Sequence, residues 1–240
     1  MDIIIVTGAS KGIGFELSKQ LQEKGKKVIG IARTKPEGVD SFVSADLAET
    51  NRLEEIITSI IDENIKVASS FTLINNAGMV DPIGLIGDVQ AGIMAKAIAV
   101  NLTAPMIISN AFISRLQNFK NMKRIVNISS GAGRNPYEGW GTYCTTKAGL
   151  DHFSRVVALE QASTAHPVEI VSIAPGIIDT GMQETIRSSE EDAFPLLDQF
   201  INYKEKGLLS SAAETAGKLI AFMENEDFNA VGPIADIRNF

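Results

Sequence analysis

A short β-branched run, Ile3 to Val6, passes directly into Thr7-Gly8-Ala9-Ser10-Lys11-Gly12-Ile13-Gly14. This junction constrains the fold more than any other stretch. A run apolar at every position suits a parallel strand buried on both faces. The glycines after it permit a tight turn into an amphipathic helix, read from Ile13 to Lys24 and stopped by Gly25. Lys27 to Ala32 (KVIGIA) is then a second strand, so the chain opens with a strand–helix–strand unit. Gly8, Gly12 and Gly14 stand where strand becomes helix. Glycines there let a dinucleotide pyrophosphate approach the backbone, where helix N–H groups meet the anion. Their spacing is G-x-x-x-G-x-G rather than G-x-G-x-x-G, and a tight turn without a ligand is the competing reading.

The end of the second strand bears on which dinucleotide is bound. NAD-binding units commonly place a carboxylate there, accepting from the ribose 2′-hydroxyl. This chain has Ala32-Arg33-Thr34 instead, and Lys11 lies in the glycine turn. Two cations and no carboxylate fit the 2′-phosphate of NADP(H); plain surface charge is the alternative.

The alternation continues to the end of the chain. Further strands are read at Ser41 to Ser44, Phe71 to Ile74, Ile125 to Ile128, Val168 to Ala174 and Val231 to Ile237. Helical periodicity runs over Asn51 to Ile65, Asp88 to Asn118 (with a kink expected at Pro105), 141–163 and Ser211 to Glu224. This pattern predicts a Rossmann-type, doubly wound α/β fold: one seven-stranded parallel sheet with helices on both faces, in a single domain over 1–240. Residues 181–210 lack strand character and mix apolar side chains with charges, which predicts a substrate lid. A net charge of −7 with no basic tract argues against a nucleic-acid partner. No apolar run reads as a membrane span, and the N-terminal MDIIIVTG reads as a strand rather than a leader. A single cysteine rules out an internal disulfide and fits a cytoplasmic protein.

The chemistry concentrates between Arg124 and Leu150. Tyr143 and Lys147 are four apart on a helix and share a face. Ser130 precedes the tyrosine across a glycine-rich loop that can fold it back onto the ring. A hydroxyl, a phenol and an ammonium gathered this way suit proton transfer at a carbonyl. Asn101, a poor helix former in mid-helix, suggests a backbone or water contact, with bend capping as the alternative. Asn75-Asn76-Ala77-Gly78 ends a strand in small residues against which a ligand could lie, and Asp46 could bond an adenine or cap a helix. Cys144 follows Tyr143, so it points away from that face and is expected to pack against the sheet. Two histidines and one cysteine give no metal-ligand spacing, so no metal is expected.

TGASKGIG, NNAG, Asn101, Ser130 with Tyr143-x-x-x-Lys147, and Pro175-Gly176-x-x-x-Thr180 occur in the order seen in the short-chain dehydrogenase/reductase family. The chain resembles that family over essentially its whole length. Within it, GAGRNPYEGWGTYCTTKAGLDHF and VSIAPGIIDTGMQ resemble the benzil reductases most, and the sepiapterin reductases next. The resemblance implies Tyr143 as proton donor and Lys147 as the cation that lowers its pKa and holds the nicotinamide ribose. It implies Ser130 as the group polarising the carbonyl oxygen and Asn101 as the anchor of a water relay. It places Gly8, Lys11, Gly12, Ile13 and Gly14 at the pyrophosphate and ribose, and Arg33 at the 2′-phosphate. Asp46 and Asn76 fall near the adenosine, and Ile178 and Thr180 at the nicotinamide.

The implied activity is NADPH-dependent reduction of a small-molecule carbonyl, a benzil-type 1,2-diketone going to an (S)-hydroxyketone. A pterin side-chain carbonyl is the alternative. Trp140, Met182 and Phe194 are candidate pocket residues, with core packing as the alternative for each, and Asp236 would hold a pterin if it entered the pocket. A regulator that binds NADP without chemistry would lack the tyrosine or the lysine, and both are present. The family implies a homodimer or homotetramer built on the long helices.

Overall fold

In the computed structural model, which describes residues 1–240, every expected strand forms and all seven join one parallel sheet. In chain order the elements are β1 (Asp2–Thr7), α1 (Gly12–Glu23), β2 (Lys27–Ala32), β3 (Ser41–Ser44), α2 (Leu53–Asn64) and β4 (Ser70–Asn75). There follow α3 (Ala91–Ile98), a π-helical turn (Ala99–Thr103), α4 (Ala104–Leu116), β5 (Lys123–Ile128), α5 (Gly141–Gln161) and β6 (Glu169–Ala174). The last part holds β7 (Ile178–Asp179), α6 (Gly181–Arg187), α7 (Leu197–Glu205), β8 (Ser210–Ser211), α8 (Ala212–Asn225), α9 (Phe228–Val231) and β9 (Ile234–Asp236). Strand order is β3-β2-β1-β4-β5-β6-β9. The chain winds outward from β1 to β3, then crosses to β4 on the other side of β1. Such a reversal opens a crevice at the carboxyl ends of the two central strands, where ligands of this architecture bind.

Alternation along β1 divides the interior. Ile3 and Ile5 enter a core under α2 and α4, with Ile57, Leu73 and Phe112, while Ile4 and Val6 enter a core under α1 and α8, with Leu17, Val126 and Leu219. A strand buried on both faces must be apolar at consecutive positions, which is why these runs were visible in the sequence. Gly25, at φ +76°, takes the left-handed conformation that ends α1.

Two expectations need correction. The helix Ala91–Leu116 is long and apolar enough to cross a membrane, contrary to the sequence reading. Its Ala104, Ile108, Ala111, Phe112 and Leu116 lie in the sheet core, so one side packs on the sheet, while Ile93, Ile98 and Met106 leave an apolar side exposed. The irregularity expected at Pro105 is instead the π turn just before it, where the Ala104 N–H bonds to the Ala99 carbonyl, and Pro105 in the first turn of α4 has no N–H to continue that series. Residues 181–210, read as lacking strand character, form α6 and α7 and end on β8, which pairs with β7 in a separate two-stranded ribbon. These helices have seven and nine residues, too few turns for a clear apolar period.

Candidate active site

The carboxyl ends of β1, β2, β4, β5 and β6 open into one cleft of about 970 Å³. Its wall begins at the glycine turn. A Cβ on Gly14 would collide with the Gly8 carbonyl oxygen and Asn76 Nδ2, and one on Gly8 would stand 2.8 Å from Ala77 Cα. Gly8 (φ +69°) and Gly12 (φ +57°) are also left-handed, so the turn can be made only without side chains. Asn76 is spent on building it: Nδ2 donates to the carbonyls of Thr7 at 3.0 Å and Gly8 at 3.3 Å. Asp46 likewise accepts from the Ala48 N–H at 3.0 Å, although both residues line the cleft. Lys11 and Arg33 line the same end, exposed and without a carboxylate partner. Ile13, Ile178, Thr180 and Met182 complete this part of the wall.

At the other end β5 delivers Ser130 and α5 delivers Tyr143 and Lys147. Tyr143 is 7% exposed and Lys147 is 4% exposed, both facing the cleft. Lys147 Nζ donates to the Ile128 carbonyl at 2.8 Å and lies 5.8 Å from the centre of the Tyr143 ring. Burial pushes the phenol up to about 12, with the Ser130 hydroxyl pulling the other way through a hydrogen bond. Burial brings the Lys147 ammonium down to about 8, and Asp151 opposes that shift. The expected lowering of the phenol by Lys147 is therefore not what the protein's own groups produce: desolvation wins, and Tyr143 holds its proton at neutral pH.

Asn101 sits in the π turn, 1% exposed, and binds the backbone of Met79 from both ends of its amide. Oδ1 accepts from the Met79 N–H at 2.9 Å, and Nδ2 donates to the Met79 carbonyl at 2.7 Å. Of its two sequence readings the backbone contact is the one present. Gly78 lies between it and the lysine: a Cβ there would stand 3.5 Å from Asn101 Oδ1 and 3.8 Å from Lys147 Nζ.

Above Tyr143 lies a third apolar cluster with Val80, Trp140, Phe194 and Phe200. Trp140 stacks on Phe194 at 4.9 Å and 11°, and meets Tyr143 at 5.5 Å, edge on. Its indole N–H is buried and unpartnered. Phe194 and Phe200 come from the 181–210 segment, so that segment closes over the tyrosine. Cys144 packs on this cluster and not on the sheet, a correction, because α5 turns its Cys144 side toward the segment. Asp236, whose entry the sequence left open, stays out of the cleft. Arg238 binds its carboxylate twice, at 2.8 Å and 2.6 Å, beside a separate hollow lined by Arg134, Glu226 and Phe240. Tyr137, Phe200 and Tyr203 also line the cleft and were not singled out in the sequence, where isolated aromatics look like core.

A family model described as short chain dehydrogenase matches residues 2–191. The chain belongs to the short-chain dehydrogenase family. It is 40% identical to "Benzil reductase ((S)-benzoin forming)" of Bacillus cereus over 242 residues, covering 95% of this chain and 96% of that one. It is 27% identical to "Sepiapterin reductase" of Rattus norvegicus, covering 95% and 93%. Among solved structures, that of the KRED1-Pglu enzyme superposes with a TM-score of 0.83 at 26% identity, over 98% of this chain and all of the other. As a short-chain dehydrogenase the protein is an oxidoreductase that uses a nicotinamide dinucleotide. The site fits such a cofactor: the cleft borders the turn at Gly8 and Gly12, and the exposed Lys11 and Arg33 line the same end.

Proposed function

We propose that this short-chain dehydrogenase is a cytoplasmic NADPH-dependent reductase of aromatic 1,2-diketones, converting a benzil-type substrate to the (S)-hydroxyketone. The observation that carries the reading is the aromatic cluster of Trp140, Phe194 and Phe200, in which Trp140 meets Tyr143 edge on and Trp140 and Phe200 line the cleft. Aromatic pairs of this kind favour an aryl substrate over a purely polar one. The 40% identity to a benzil reductase supports the same choice. The pairing of Asp236 with Arg238 weighs against a pterin.

The glycine turn, with Arg33 and Lys11 at the 2′-phosphate, would hold NADPH, which would supply a hydride for the carbonyl carbon. Tyr143 donates its phenolic proton to the oxygen, which balances the reduction to an alcohol. Ser130 hydrogen-bonds that oxygen and stabilises the charge it gains. Lys147 places an ammonium beside the phenol, so the phenolate left after transfer is stabilised and can be reprotonated. Asn101 fixes the Met79 backbone on the far side of Gly78, and residues 181–210 exclude water. Exposed Ile93, Ile98 and Met106 on α3 and α4, with Val156 and Leu159 on α5, suit a homodimer or homotetramer.

Purified protein with NADPH is expected to reduce benzil with a higher kcat/KM than sepiapterin; the reverse order would overturn the substrate assignment. Tyr143→Phe removes only the proton donor. It is expected to keep NADPH affinity and lose about 10²–10⁴-fold in kcat, whereas near-normal turnover would refute the role.

A further inference from the structure

Asp151 lies one helical turn beyond Lys147 on α5, on the same face, with 2% of its surface exposed. Its two oxygens are held from different elements. Oδ1 accepts from the Ser172 hydroxyl of β6 at 2.6 Å, and Oδ2 accepts from Arg134 Nε at 3.2 Å. Arg134 belongs to the loop joining Ser130 to Tyr143, and its Nη2 also donates to the Ala235 carbonyl of β9 at 2.8 Å. Gly133 brings loop and helix together. A Cβ there would stand 2.9 Å from the Lys147 carbonyl carbon and 3.1 Å from Asp151 Oδ2. The carboxylate is thus fixed next to the Lys147 peptide in a region shielded from water.

A buried carboxylate costs free energy unless its charge is partnered, and at low dielectric its field reaches further than at a surface. Arg134 partners it only in part, since that side chain is 26% exposed and shares its donors with Ala235. The remaining charge can act on Lys147, buried one helical turn away on the same face. We propose that Asp151 is a positioning residue that sustains the positive charge of Lys147, and that Arg134 attenuates this effect.

Among the carboxylates around Lys147, Asp151 is the buried one: Asp46, Asp81, Asp179 and Glu184 line the same cleft from more exposed positions. The π turn Ala99–Thr103 and the Gly131–Gly133 turn carry no charged residue. Tyr143 on the same helix holds its proton at neutral pH. Lys96 on α3 is an exposed cation of the wrong sign. On β6 Glu169 pairs with Arg124 at 2.7 Å, and on β9 Asp236 pairs with Arg238. The opposition of Asp151 to the downward shift of Lys147 agrees with the geometry.

The inference rests on the proposed role of Lys147 but not on which carbonyl is reduced, so its test follows the lysine itself. Heteronuclear NMR of lysine side chains in the cofactor-free protein gives the Lys147 titration midpoint, the signal being assigned by its loss in Lys147→Met. Asp151→Asn is expected to lower that midpoint by about one pH unit, and Arg134→Gln to raise it. At pH 9 the charged fraction in Asp151→Asn would then be lower by up to about tenfold. The alkaline limb of kcat/KM is expected to move with each midpoint. A purely structural role would lower stability in both variants and move the midpoint in neither. An unchanged or raised midpoint in Asp151→Asn, or an unchanged or lowered one in Arg134→Gln, overturns the proposal. Should Asp151→Asn fail to fold, Arg134→Gln decides it. Loss of benzil reduction with both midpoints shifted as expected would count against the substrate assignment alone.

Discussion

Two lysines, Lys123 and Lys147, are buried almost completely, and they are buried for opposite ends. Lys123 Nζ donates to three carbonyls: Leu116 at 3.2 Å, Phe119 at 2.7 Å and His166 at 2.7 Å. Every ammonium proton has a partner, and the first two acceptors lie at the negative end of α4. Lys147 makes one such bond, to Ile128, and directs its remaining donor capacity into the cleft. Burial lowers the pKa of both. A saturated ammonium ties elements together, while an unsaturated one is held ready for a second partner. Counting hydrogen bonds, rather than burial, separates structure from function here.

The comparison breaks most sharply by removing each charge. Lys147→Met is expected to lower kcat/KM by about 10²–10⁴-fold while leaving the melting temperature unchanged or raised, because a desolvated charge with one bond is lost. A matching fall in both activity and stability would erase the distinction. Lys123→Met is expected to do the reverse. It leaves carbonyls without a donor and should cost about 1–3 kcal/mol in denaturant titrations, with kcat/KM nearly intact.

The pH dependence of stability sharpens it further. Lys147 titrates at about 8 when folded and at about 10.5 when unfolded, so between those values the unfolded chain binds more protons and stability rises with pH. Tyr143 acts oppositely: its folded value of about 12 exceeds the ordinary 10, so its contribution is complete below pH 10 and is lost above it. Unfolding free energies from urea titrations are expected to climb by up to about 1 kcal/mol per pH unit above pH 8 and to turn down beyond pH 10. The climb should be smaller in Lys147→Met, and an identical profile there would contradict the assignment. The smallest effect concerns Arg33, an exposed cation with no carboxylate partner. Arg33→Asp is expected to shift the NADPH-to-NADH preference by about two- to fivefold, read from paired kcat/KM values.

What the sequence disclosed follows from these distinctions. Strands buried on both faces need apolar residues at consecutive positions, so β1, β2, β4, β5 and β6 could be read directly. Tyr143 and Lys147 were legible because four residues on a helix fix a common face. Lys123 was not, since a lysine beside Arg124 looks like surface until the ends of α4 and of the 161–168 connection converge on it. Asp151 stands four residues after Lys147, the same interval that revealed the pair before it, so that signal was available. The place of Asp236 depends on the left-handed Gly232 and on a partner two residues away, and no periodicity reports either. The two lid helices escaped notice because their apolar residues serve the Trp140 cluster and not the sheet.

That cluster shares no residue with the two cores that flank the sheet. Substitutions of Phe200, which lines the cleft, therefore perturb a pocket while the two cores flanking the sheet go untouched. Selection can then retune substrate preference piecemeal, with little penalty in foldability. For an engineer, the same partition marks where a library should be aimed.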